Sequence, residues 1–151
     1  MRIPLAILHL LALGIGLGAI YSRGRALNRV ETVDGLRRAF LADTWWGIAA
    51  LLWISTGLWR ALAGSEKPAT YYWHNHVFFA KMGLLALILL LEIWPMMTLV
   101  RWRKDLGRGS LALPAIRVPA KRIARISDVQ GLLVVGMVIA AVLMARGYGA
   151  R

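Results

Sequence analysis

The sequence contains no cysteine. That absence excludes disulfides, thiolate metal sites, iron–sulfur clusters and cysteine catalysis within the chain. Acidic residues are also scarce, with 7 Asp and Glu against 19 Lys and Arg, so the formal net charge is +12. Histidine occurs only three times, at His9, His74 and His76. No Gly-x-Ser-x-Gly elbow, phosphate loop or metalloprotease motif is present, and hydrolase and kinase readings therefore find no support. There is no convincing internal repeat, low-complexity tract or soluble domain.

What is abundant is apolar sequence. Of 151 residues, 59% are hydrophobic, and the mean hydropathy is +0.61, too apolar for a soluble domain of this size. The apolar residues fall into four runs: Ile3 to Tyr21, Thr44 to Ala63, Val77 to Val100, and Val129 to Ala145. Each run of roughly 17–24 residues can cross a hydrocarbon core of about 30 Å as a helix. Lipid offers no partner for free backbone groups, which makes the helix the expected form. The expected fold is all-α, an integral membrane four-helix bundle. Residues 1–151 form a single transmembrane domain with helices at about 3–21, 44–63, 71–100 and 120–146. The first run is too long for a signal-peptide core and lacks a good cleavage site, so it reads as a mature helix.

In a soluble protein the basic balance would suggest nucleic acid. Here the charges lie between the apolar runs, where membrane topology and anionic headgroups account for them; the lipid bilayer is the expected partner, and nucleic acid is not. Thirteen basic residues fall in the first and third connections, from Arg23 to Arg38 and from Arg101 to Arg125, against six elsewhere. This bias predicts that those connections face the cytoplasm, and that both termini and the connection near Gly64–Thr70, with Lys67, face outward, which is the periplasm in the inner membrane of a Gram-negative cell. Trp45, Trp46, Trp94 and Trp102 suit an inner interfacial belt, and Trp59 and Trp73 an outer one. Asp34 to Asp43 can form a helical lead into the second span. Gly107 to Pro119 reads as a loop, followed by a basic lead into the fourth span. Pro95 is expected to kink or weaken the third.

Polar residues at membrane depth are costly and so mark candidate sites. His9 lies in the outer part of helix one, and His74, His76 and Lys81 in the outer part of helix three. Glu92 lies deeper, where it can pair with a bundle cation or carry a proton. If helix three starts near Thr70, His74, Lys81 and Glu92 share a face, within roughly 20° at 3.6 residues per turn. His76 points elsewhere. Two imidazoles from facing helices can hold a b-type haem, with His9 and His74 the preferred pair and Lys81 or Arg60 placed for a propionate. The same histidines, His9, His74 and His76, could instead hold copper. Gly14 and Gly18 form a GxxxG pair suited to helix packing, and Gly16 could leave room for a porphyrin edge. Each also has a plainer reading: an interfacial histidine is often only amphipathic, Lys81 can snorkel, and Ser55 and Thr56 can bond their own helix.

The segments HLLALGIGLGA, ADTWWGIAALLWISTGLWRAL and YYWHNHVFFAKMGLL through LEIWPMMTLVRWR resemble the bacterial membrane family called domain of unknown function 2214. The resemblance covers nearly the whole chain. More distantly, it is similar to membrane proteins of the copper-resistance protein D type and to the small membrane protoporphyrinogen oxidases. The latter resemblance implies a haem, with His9 matching a histidine of the first helix and Trp73, His74 and Lys81 corresponding loosely to a motif opening the third. The expected function is a membrane b-type haem redox protein, for electron transfer or oxidase-like chemistry with quinone, a porphyrinogen or another redox protein. The alternatives are copper handling or transport, and a cofactor-free accessory subunit of a larger membrane complex.

Overall fold

The computed structural model describes residues 2–62 and 75–149. They form four helices: α1 (Arg2–Asn28), α2 (Val33–Leu62), α3 (His76–Gly107) and α4 (Leu113–Ala145). All four are long and apolar enough to cross a membrane. Each runs beyond its apolar stretch toward the basic end of the bundle. The reason is amphipathic continuation: Ile116, Ala120, Ile123, Ala124 and Ser127 recur at helical spacing and are all buried, so packing takes over where hydropathy stops.

Local chemistry sets the ends. Thr32 caps α2 by accepting the Gly35 N–H on its hydroxyl at 3.1 Å, and Asp34 stands in the first turn, where a carboxylate suits the positive end of the helix. α4 starts at Leu113 with a proline in its first turn, where a missing N–H costs nothing. Pro119 lies inside α4, so the expected loop to that residue is shorter than its prolines suggested. α3 likewise continues through the buried Pro95 to Gly107.

At the other end α3 begins later than expected. Asn75 is extended (φ −113°, ψ 112°) and its Oδ1 accepts the N–H groups of Val77 and Phe78 at 2.9 and 3.2 Å. This buried cap also clasps the far end of α4: Asn75 Nδ2 donates to the Tyr148 carbonyl at 3.2 Å, and the His76 N–H donates to that of Gly149. Gly149 has φ +82°, and a Cβ there would lie 2.6 Å from Val77 Cγ2, so both conformation and space demand glycine.

α1 packs along α2 and α4, and α3 packs on α4, while α2 and α3 meet over only a short stretch. The spatial order is therefore α2–α1–α4–α3. One buried apolar cluster fills the basic end, with Leu27, Leu36, Leu99, Trp102 and Ile123 at its centre. A second lies farther along the bundle and contains Ala12, Ile20, Trp46, Trp53, Ile88 and Met137. Trp46 and Trp102, expected at an interface, are 4% and 6% exposed and pack between helices. Gly14 and Gly18 face out of the bundle, with nothing among the described residues within 4 Å of a Cβ at either position. The close approach falls instead at Gly24, where a Cβ would meet Ser127 Cβ at 3.3 Å and the Ala124 carbonyl at 3.5 Å.

Candidate functional site

Between the two apolar clusters lies a layer of charge. Arg23 is fully buried, one turn before the end of α1. Its guanidinium has five N–H donors, and five acceptor contacts meet them. Nε donates to Ser127 Oγ at 3.1 Å, Nη1 to Asp43 Oδ1 at 3.0 Å and Glu92 Oε1 at 2.6 Å, and Nη2 to Glu92 Oε2 at 2.9 Å and Gln130 Oε1 at 2.8 Å. Gln130 Nε2 in turn donates to Glu92 Oε2 and to the Ile88 carbonyl. The second oxygen of Asp43 accepts from Arg103 Nη2 at 2.9 Å, and that nitrogen also reaches the Phe40 carbonyl. Arg103 lies over the Phe40 ring, 5.2 Å from its centroid.

All four helices contribute to this layer, and its formal charges cancel: Arg23 and Arg103 against Asp43 and Glu92. Such a cluster in low dielectric is tolerable only when its members are satisfied. Gly24 lets α4 come close enough for Ser127 to join. Glu92 does pair with a bundle cation, one of the roles expected for it. The partner, Arg23, read in the sequence as an ordinary cation of the first connection. The available signal was the scarcity of acids, three of which, Asp43, Glu92 and Asp128, abut or interrupt apolar runs.

At the opposite end, His9 projects from α1 onto α2. Its Nδ1 lies 2.8 Å from Thr56 Oγ1, and its Cε1 would lie 3.2 Å from a Cβ at Gly57. The Thr56 hydroxyl also lies 2.6 Å from the Leu52 carbonyl and 3.1 Å from that of Trp53. A hydroxyl has one proton, and a carbonyl can only accept it, so the Thr56 oxygen receives the His9 Nδ1–H. In the neutral ring the lone pair then belongs to Nε2. Thr56 thus bonds its own helix, as its residue type allows, and orients the histidine as well. Trp53 packs beside His9, ring centroids 6.0 Å apart, and its buried Nε1–H has no hydrogen-bond partner among the described residues.

The slot expected beneath His9 is closed. A Cβ at Gly16 would lie 3.2 Å from Trp46 Cζ3 and 3.4 Å from Ala49 Cβ, so this glycine admits an indole, not a porphyrin edge. The apolar crevice between Gly16, Ala49, Trp53 and Val134 has no room even for a water molecule.

The expected connection near Gly64–Thr70, with Lys67, Trp73 and His74, lies outside the described residues. The shared face proposed for His74, Lys81 and Glu92 required a helix from Thr70, and the extended Asn75 removes that premise. His76 is the exposed first residue of α3. Lys81 is half-buried a little farther along, and Arg60 is half-buried near the end of α2. Both stand at the His9 end of the bundle, far from Glu92. Among the described residues no group of three or more histidines and carboxylates is placed to share a metal ion.

The chain belongs to the family described as "predicted membrane protein (DUF2214)", which matches residues 1–149. No curated protein and no solved structure matches it.

Proposed function

We propose that this family member is a bacterial inner-membrane protein that carries a b-type haem near the periplasmic face and takes part in electron transfer or a haem-dependent oxidation. The observation that supports this reading is the hydrogen bond from His9 Nδ1 to Thr56, which orients the ring and puts its lone pair on Nε2, the atom that would face a metal. A metal-bound histidine commonly has its other ring nitrogen held in this way. The Trp53 Nε1–H beside it, without a hydrogen-bond partner among the described residues, is a donor that a polar group of a bound cofactor would satisfy. Arg60 and Lys81, at the same end, supply cations suited to propionates. His74 remains the expected second ligand. The excess of basic residues at the Arg23 end favours an orientation with that end in the cytoplasm.

Haem supplies one-electron redox chemistry when bound, and the protein's part is to hold and orient it. His9 fixes the ligand direction, Thr56 fixes the tautomer, and the charged layer keeps α1 in register with the other helices. The absence of cysteine suits a protein whose chemistry resides in a cofactor.

A second reading has its own support. Because Trp46 and Ala49 close the space under His9, the chain also suits a cofactor-free subunit of a larger membrane complex. One experiment separates the two. Protein purified in detergent from haem-replete cells is scanned oxidised and after dithionite. A Soret band with sharp reduced α and β bands, lost in His9→Ala, supports the haem reading. A full haem spectrum in His9→Ala overturns His9 as the ligand. A flat visible spectrum overturns haem; stoichiometric copper by metal analysis would then mark a copper protein, and neither cofactor would favour the subunit.

A further inference from the structure

The basic end carries a recess that neither the charged layer nor the His9 site uses. It lies between the end of α1 and the first turns of α4, holds about 300 Å³, and is lined by Leu27, Arg29, Val30, Glu31, Arg117 and Lys121 among others. Leu27 and Val30 are buried and form its apolar floor. Arg117 and Lys121, four residues apart, project from one face of α4. All four charged residues are exposed, and none forms an ion pair among the described residues. Arg23 and Arg103, by contrast, hold acids at the same end.

Charge decides what the recess takes. Three cations against one carboxylate leave two positive charges in excess, and the carbonyl end of α1 offsets only about half a charge. The recess therefore favours an anion. Its surroundings favour one attached to hydrocarbon. Eleven and eighteen residues beyond Lys121, Leu132 and Ile139 return to within about 20° of its direction and are 73% and 56% exposed. That face runs from the recess down the apolar part of α4, over about 16 Å between Lys121 and Leu132 at 1.5 Å per residue.

We propose that this recess binds the headgroup of an anionic phospholipid, with Arg29, Arg117 and Lys121 on the phosphate and an acyl chain along the Leu132–Ile139 face. Glu31, the one carboxylate in the lining, is suited to accept a headgroup hydroxyl, which makes phosphatidylglycerol the probe of choice.

The test is native mass spectrometry of the full chain in detergent, titrated with phosphatidylglycerol or phosphatidylcholine. Three proteins are compared: the parent, Arg117→Gln/Lys121→Gln, and Arg37→Gln/Arg38→Gln. The last removes the same charge from exposed positions of α2 outside the recess. The parent is expected to hold one phosphatidylglycerol in preference to phosphatidylcholine. The recess variant should bind it about 30-fold more weakly, at about 1 kcal/mol for each basic residue near the membrane surface, while the control retains it. Equal binding by the recess variant overturns the site, and equal loss in the control replaces it with diffuse surface charge. Displacement of the lipid by an equal concentration of inorganic phosphate would make it a soluble-anion site and overturn the lipid assignment. Unaltered circular dichroism melts exclude misfolding; should the double variant misfold, Arg29→Gln reads the same recess from α1.

Discussion

Arg23 and Glu92 meet in a two-pronged ion pair, at 2.6 and 2.9 Å, across α1 and α3, two helices that otherwise hardly touch. In the order α2–α1–α4–α3 this pair is the direct tie between α1 and α3, and Asp43 and Gln130 extend it to the remaining two helices. Removing the cation alone leaves Glu92 and Asp43 buried without it. Arg23→Met should therefore destabilise the bundle by about 3–5 kcal/mol, measured by unfolding in mixed micelles. Arg23→Lys should not restore the parent, because an ammonium cannot reproduce the planar fork that meets five acceptor contacts. Stability of Arg23→Lys equal to the parent would show that charge alone matters.

The pair can also be tested by coupling. Glu92→Gln and Arg23→Met should be strongly non-additive, since each removes the other's partner. A double variant whose destabilisation equals the sum of the two singles would mean that the residues act independently.

Glycine positions separate close contacts from open faces. Gly24→Val should cost about 1–3 kcal/mol through overpacking against Ser127 and the Ala124 carbonyl. Gly14→Leu and Gly18→Leu, on a face with no neighbour among the described residues, should leave unfolding of the monomer nearly unchanged. The reverse ranking in a thermal melt would contradict the helix order.

The Asn75 clasp makes a local prediction. Asn75→Ala removes the α3 cap, costing about 0.5–2 kcal/mol, and also frees the backbone at Tyr148. Hydrogen exchange should quicken in the first turn of α3, at Val77 and Phe78. Unchanged protection there would show that the cap is dispensable.

For the proposed haem site, Thr56→Val keeps shape but removes the acceptor for His9 Nδ1–H. Haem affinity is expected to fall about 10–100-fold, the usual range for loss of a partner behind a metal ligand. An apo-protein titration followed at the Soret band measures it; an affinity equal to the parent's would show that Thr56 does not tune His9.

The four membrane helices were legible in the sequence because burial in lipid requires only length and hydropathy, and both are local properties. Family membership was legible for a similar reason, from contiguous segments such as ADTWWGIAALLWISTGLWRAL. Glu92 stood out because a carboxylate within an apolar run is costly wherever it lies. Its partner could not be read, since Arg23 sits where the sequence turns basic, and only the continuation of α1 to Asn28 keeps it inside the bundle. The late start of α3 depended on Asn75 finding its cap and Tyr148 together, a contact across 73 residues. The roles of the glycines were likewise undecided: Gly14, Gly16 and Gly18 are locally alike, yet only Gly16 faces an indole. Which charge is paired, which glycine is crowded and which histidine nitrogen carries the proton depend on neighbours far along the chain. Hydropathy records how much surface a helix must hide from water, whereas tertiary packing decides which side chain it is hidden against.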